Sequence, residues 1–125
     1  MREIKFRGLT KGVKNDYIWV YGFLATFHTI LVIKENFGPS YEIKRKSVGE
    51  YTGIKDYEGK EIYEGDIVET TRALNHIVGV VTMIKGCWYI QDGKDSYYRL
   101  IPRFGTVENK VIGNIYENKN LLEEE

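Results

Sequence analysis

The sequence predicts an all-β protein, and three observations carry that expectation. Ten tyrosines and many β-branched residues gather in short runs, the composition of half-buried strands. Turn-forming clusters separate the runs: Lys14-Asn15-Asp16, Phe37-Gly38-Pro39, Lys85-Gly86, Gln91 to Lys94 and Gly105. No segment carries a helical period, except a tail, "NKNLLEEE", in which Asn120 is placed to cap a single turn.

Taken in order, "EIKF" alternates with Ile4 and Phe6 on one face, and "YIWVYGFL" (17–24) is a longer aromatic and β-branched run. "TILVI" (29–33) is continuously apolar, as a buried strand is, and "YEIKRKSV" (41–48) alternates weakly through Tyr41 and Ile43. "GDIVE", "HIVGVVTMI" (76–84), "CWYIQ" (87–91), "YYRLI" (97–101) and "VIGNIYE" (111–117) follow. Asp92-Gly93 is the strongest hairpin dipeptide among them. Short strands at this spacing predict a barrel or a sandwich.

A chain of 125 residues has the size of one ordinary domain or two very small ones and needs no metal or disulfide to fold. The single cysteine excludes an internal disulfide framework and a cysteine-rich zinc site, and suits a reducing compartment. No run approaches a membrane span and the first residues lack a signal-peptide core, so the expected location is the cytoplasm. Equal numbers of basic and acidic residues, 18 of each, argue against a uniformly basic nucleic-acid binder. The neutrality hides a split. Residues 1–48 carry nine Lys/Arg against four Asp/Glu, a net of +5, and residues 49–125 carry nine against fourteen, a net of −5. With the rise in glycine density, the sign change places a boundary near residue 48, giving an N-terminal β subdomain (1–48), a barrel part (49–117) and an acidic tail (118–125).

The stretch "YTGIKDYEGKEIYEGDIVE", Tyr51 to Glu69, holds three glycines and six acidic residues. As turn chemistry, Asp56 and Gly59 occupy the first and fourth positions of a type I turn. Gly65 supplies a positive φ at a second bend, and Asp66 accepts backbone N–H groups as the chain enters "IVE". On this reading the acidic residues sit mainly on solvated turn tips. The competing reading is a metal or acid–base site, a cryptic enzyme built on residues 56–69. Calcium-loop spacing is absent, however, and nothing singles out one carboxylate pair.

"VGEYTGIKDYEGKEIYEGDIVE" resembles the most specific segment of the YopX family of phage and prophage proteins. "MREIKFRG" is similar to that family's opening, "WVYG" (19–22) to its second motif and "VIGNIYENKNLL" (111–122) to its ending. Glu50, the pair Tyr57-Glu58 and the pair Gly8-Leu9 depart from the family pattern, and Thr70 to Lys110 carries no family motif. The resemblance implies a β-rich fold whose later part is similar to an SH3-like barrel, and a bacterial host cell. It brings no catalytic residue, cofactor or metal ligand to carry over.

Cys87 with His28 or His76 is the raw material of a thiol nucleophile, but a strand cysteine beside Trp88 is by default a packed one. Two scattered histidines are a weak metal signal. Walker, GxSxG, HExxH and GxGxxG motifs are absent. Tyr17, Trp19 and Tyr21 alternate on one strand face, and Lys44-Arg45-Lys46 is a basic run, with Lys5, Arg7, Lys11 and Lys14 in the same half. These residues are the candidate contact set, either for a nucleic acid that stacks on the rings or for a protein. The expectation favours a non-catalytic protein-interaction module that self-associates, without cofactor or metal. Nucleic-acid binding by a small β-barrel protein is the alternative.

Overall fold

The structure is a computed structural model and describes residues 3–12, 16–72, 74–102 and 107–123. The protein is all-β, as expected. Among the described residues eleven strands run β1 (Phe6–Lys11), β2 (Tyr17–Phe27), β3 (Ile30–Lys34), β4 (Ser40–Glu42), β5 (Gly49–Lys55), β6 (Glu61–Tyr63), β7 (Asp66–Arg72), β8 (Asn75–Ile84), β9 (Cys87–Asp92), β10 (Ser96–Arg99) and β11 (Asn109–Asn114). A single helical turn, α1 (Asn120–Glu123), follows them. The chain divides into two compact units, 1–51 and 52–125, with β5 running through the division. The turn expected at Lys14-Asn15-Asp16 and the one at Gly105 lie wholly or partly outside the described residues.

In the N-terminal unit the strand order is β4-β3-β2-β1-β5, all antiparallel. Val20, Gly22 and Leu24 of β2 face the core, while Ile18 and Thr26 at its ends are exposed. Val20, Ile33 and Ile43 form the centre of that core, with Phe6, Leu24, Leu31, Tyr41 and Val48 against them. The segment expected as one strand over 41–48 is instead a short strand followed by a single 3-10 turn, Arg45–Ser47. Ser47 explains the change. Its buried hydroxyl donates to the Lys44 carbonyl at 2.6 Å and accepts the Leu9 N–H at 2.7 Å, a local alternative to a ladder.

Gly22 has φ +156°, and a Cβ placed there would come well under 3.0 Å from the Lys34 carbonyl oxygen. Neither group is a flexible side chain, so the strand has to move. Gly22→Ala is expected to destabilise the N-terminal unit by about 3 kcal/mol. The tryptophans report the units separately, Trp19 lying in the first and Trp88 in the second. The loss is therefore expected in the Trp19 signal of a Trp88→Phe background during urea unfolding, and an unchanged midpoint would refute the clash.

In the C-terminal unit the last half of β5 pairs with β6, and a five-stranded antiparallel sheet runs β10-β9-β8-β7-β11. Ile62, Val68, Ile77, Val81, Ile90, Leu100 and Val111 form its core, with Ile54, Trp88 and Tyr98 packed around them. No ladder joins β10 to β11 among the described residues, so the sheet stays open where an SH3-like barrel was expected. It is nevertheless curled. In a flat sheet, β7 and β10 are about 14 Å apart, three strand spacings. Yet the Arg72 guanidinium donates to the Arg99 carbonyl at 2.5 Å, and also to the Thr70 hydroxyl at 2.6 Å. Burial pushes the Arg72 guanidinium below its ordinary pKa. It remains charged at any pH the protein meets.

Candidate functional site

The acidic stretch folds as β5, a turn, β6, a bend and β7. Asp56 and Asp66 are only 6% and 2% exposed, which corrects the expectation of solvated turn tips. Asp56 Oδ1 accepts the N–H groups of Glu58 and Lys60, both at 2.9 Å, and closes the turn that Gly59 completes with φ +89°. Its Oδ2 accepts the Val111 N–H at 3.0 Å, tying the turn to β11. Asp66 Oδ2 accepts the Tyr63 N–H at 2.8 Å across the second bend. Gly65, at φ +92°, donates to the Val81 carbonyl and accepts from Ile115, both at 3.0 Å. A side chain there would press on the Tyr116 ring. Both aspartates are thus engaged with backbone donors, the arrangement of a structural carboxylate. Among the described residues, no group of three or more His, Cys, Asp or Glu side chains is placed to hold a metal ion.

His76 and Cys87 do not meet. His76 lies near the start of β8, while Cys87 pairs with Ile84 at the strand's other end, about 26 Å away at the rise of an extended chain. His76 Nε2 instead lies 2.6 Å from Glu69 Oε2 on the exposed side of the sheet. His28 packs edge-on against Phe27, with ring centroids 4.6 Å apart.

The aromatic trio lies opposite the Val20, Ile33 and Ile43 cluster, on a face where Arg7 and Leu9 are themselves buried. Tyr17, Trp19 and Tyr21 pair across to Lys11, Leu9 and Arg7 on β1, and paired residues share a face. The same alternation continues past Gly22 through Phe23, Ala25 and Phe27, which pair with Lys34, Val32 and Ile30. Tyr17 is 48% exposed, Tyr21 43%, Phe23 57% and Phe27 65%. Five rings therefore line one strand's outer face. Cations lie over two of them. Arg7 Cζ sits 4.3 Å from the Trp19 ring centroid and Lys44 Nζ 5.1 Å from that of Tyr17. The basic run and the trio thus meet at Lys44, with Arg45 and Lys46 exposed on the following 3-10 turn. Phe23, Phe27, Arg7 and Lys11 complete a face of which the sequence reading singled out three rings. The signal was available, since a ring stands at every odd position from 17 to 27 except Ala25.

A family model described as YopX protein matches residues 13–123. The chain belongs to the YopX family. No curated protein matches it. The match takes in the aromatic strand and both structural aspartates, so the turn chemistry of the stretch from Tyr51 to Glu69 belongs to the part of this YopX chain that the family shares. Among the described residues, no helix is long and apolar enough to cross a membrane.

Proposed function

We propose that this YopX-family chain is a phage or prophage protein of the host cytoplasm that acts without catalysis, as a protein-interaction module that self-associates through the outer face of β2. The observation that carries the reading is the stripe of rings from Tyr17 to Phe27 on the outer face of β2, of which Tyr17, Tyr21, Phe23 and Phe27 are exposed. Apolar patches of this kind on small proteins mark contact surfaces.

A second copy is the occupant because the two units carry opposite charge. The unit ending at Tyr51 has nine Lys/Arg against five Asp/Glu, a net of +4. The unit beginning at Thr52 has nine against thirteen, a net of −4. Lys11, Lys34 and Lys44 edge the aromatic face, and the acidic unit of another copy complements them. Such a contact joins unlike surfaces, so it closes into a ring or extends as a filament.

Phe23 and Phe27 each offer about 100 Å² of exposed ring, worth about 2.5 kcal/mol if fully covered. Association costs reduce what survives, so Phe23→Ser with Phe27→Ser is expected to weaken self-association at least about tenfold. Sedimentation velocity over a concentration series measures it. A wild-type chain that stays monomeric at about 100 μM would overturn the reading, because a contact weaker than that is not a stable assembly.

A further inference from the structure

A cavity of about 370 Å³ opens at the Tyr17 end of the aromatic face, at the size of the smaller ligand pockets. Leu9 and Ile43, both buried, give it apolar walls. Tyr17 presents an aromatic ring, and Lys11 and Lys44 supply two cations. The Lys44 N–H donates to the Leu9 carbonyl at 2.8 Å, and the Thr10 hydroxyl to the Glu42 carbonyl at 2.6 Å. These two bonds fix the 42–44 segment against β1, so the cavity has rigid sides.

We infer that this corner binds a nucleoside phosphate, free or within a single-stranded nucleic acid. Each component of that ligand has a counterpart. A base needs a ring to stack on and an apolar wall, which Tyr17, Leu9 and Ile43 provide. A phosphate needs cations, and Lys44, already poised over Tyr17, and Lys11 supply them. Glu42 is the one carboxylate among the lining residues. It repels a bare phosphate but accepts hydrogen bonds from base N–H or sugar hydroxyl groups, so it favours the nucleoside form. For a strand, Trp19 and Tyr21 continue the stacking surface in the same direction from Tyr17. The corner shares Tyr17, Lys11 and Lys44 with the face proposed for self-association but excludes Phe23 and Phe27 at the other end of β2, so Phe23→Ser with Phe27→Ser separates the two readings.

The test is fluorescence anisotropy of the full chain with a labelled oligothymidylate of about twelve nucleotides, at about 50 and 150 mM salt. Wild type is expected to bind. Lys44→Glu and Tyr17→Ser, both on exposed side chains, are each expected to weaken binding about tenfold, and Lys44→Glu to lower the salt slope by about one. Lys119→Glu, an exposed charge change in the other unit, is the control and is expected to stay within about twofold. Unlabelled thymidine monophosphate that displaces the probe identifies a free-nucleotide site. Displacement only by unlabelled strand identifies a strand site, and either supports the inference. It is overturned by no binding at the lower salt, or by binding that neither Lys44→Glu nor Tyr17→Ser weakens. Displacement by tripolyphosphate as effective as that by thymidine monophosphate also overturns it, since charge alone then suffices. A monomeric wild type that still binds the probe would remove self-association and leave this site standing.

Discussion

Asp56→Ala is expected to lower the stability of the C-terminal unit by about 3–4 kcal/mol, a cost set by which backbone groups lose their acceptor. The carboxylate serves three N–H groups. Those of Glu58 and Lys60 lie in an exposed turn and can exchange the lost bond for water. That of Val111 cannot, because Val111 is buried in the core and its N–H points at Asp56 Oδ2. A buried donor left unsatisfied costs about 1–3 kcal/mol by itself, and the charge-assisted turn bonds add to it. Asp56→Asn separates the contributions. Its single oxygen can keep either the turn or the β11 bond, while its NH₂ group faces a donor at the other, so it is expected to fall about midway. Urea unfolding of both variants in a Trp19→Phe background, followed through Trp88, is the measurement. If Asp56→Ala matches wild type to within about 0.5 kcal/mol, the link to β11 contributes nothing and the carboxylate is free for another role.

The behaviour of Asp56 also marks where sequence reading succeeds and where it stops. The turn was legible, because an aspartate three positions before a glycine is local chemistry that depends only on nearby backbone. The bond to Val111 was not, since it joins residues 55 apart and no pattern in either segment records the partner. That long-range bond is what buries the carboxylate, so the expectation of a solvated turn tip failed through topology and not through turn type. Strands with strong alternation, such as 17–24 and 76–84, were legible for the same local reason. The 3-10 turn at Arg45–Ser47 was not, because Ser47 acts through Leu9, a contact that exists only once β1 lies alongside. The contact face was half legible. Alternation put Tyr17, Trp19 and Tyr21 together, but whether that face met the core depended on β3 and the 43–48 segment covering the other side. The meeting of Lys44 with Tyr17 again required the folded sheet.

Gly79 brings these local and long-range effects into direct opposition. It sits inside the β8 run "HIVGVVTMI", between Val78 and Val80. Strand propensity alone says that Gly79→Val should stabilise the strand by up to about 1 kcal/mol. The packing says the reverse. Gly79 is buried, and a Cβ there would come under 3.0 Å from the Gln91 carbonyl group, with the Ile90 Cγ2 methyl at 2.8 Å. The nearest obstacle is backbone of β9, held in register by the pairs Val80–Gln91 and Val81–Ile90. Relief therefore requires β9 to move away from β8, and Ile90 and Val81 are both central to the core. A glycine in a strand interior that admits such a close approach is a packing requirement, one way a curled sheet brings two strands together. Gly79→Ala is expected to cost about 3 kcal/mol and Gly79→Val more, about 4–5 kcal/mol, since the branched side chain enlarges the same overlap. The Trp88 signal in urea reads both, as Trp88 lies on β9 and pairs with Met83. An increasing loss from Gly to Ala to Val would establish the close approach as the reason for the glycine. A gain in stability for Gly79→Val would mean that β9 yields readily and that propensity, not contact with β9, governs this position.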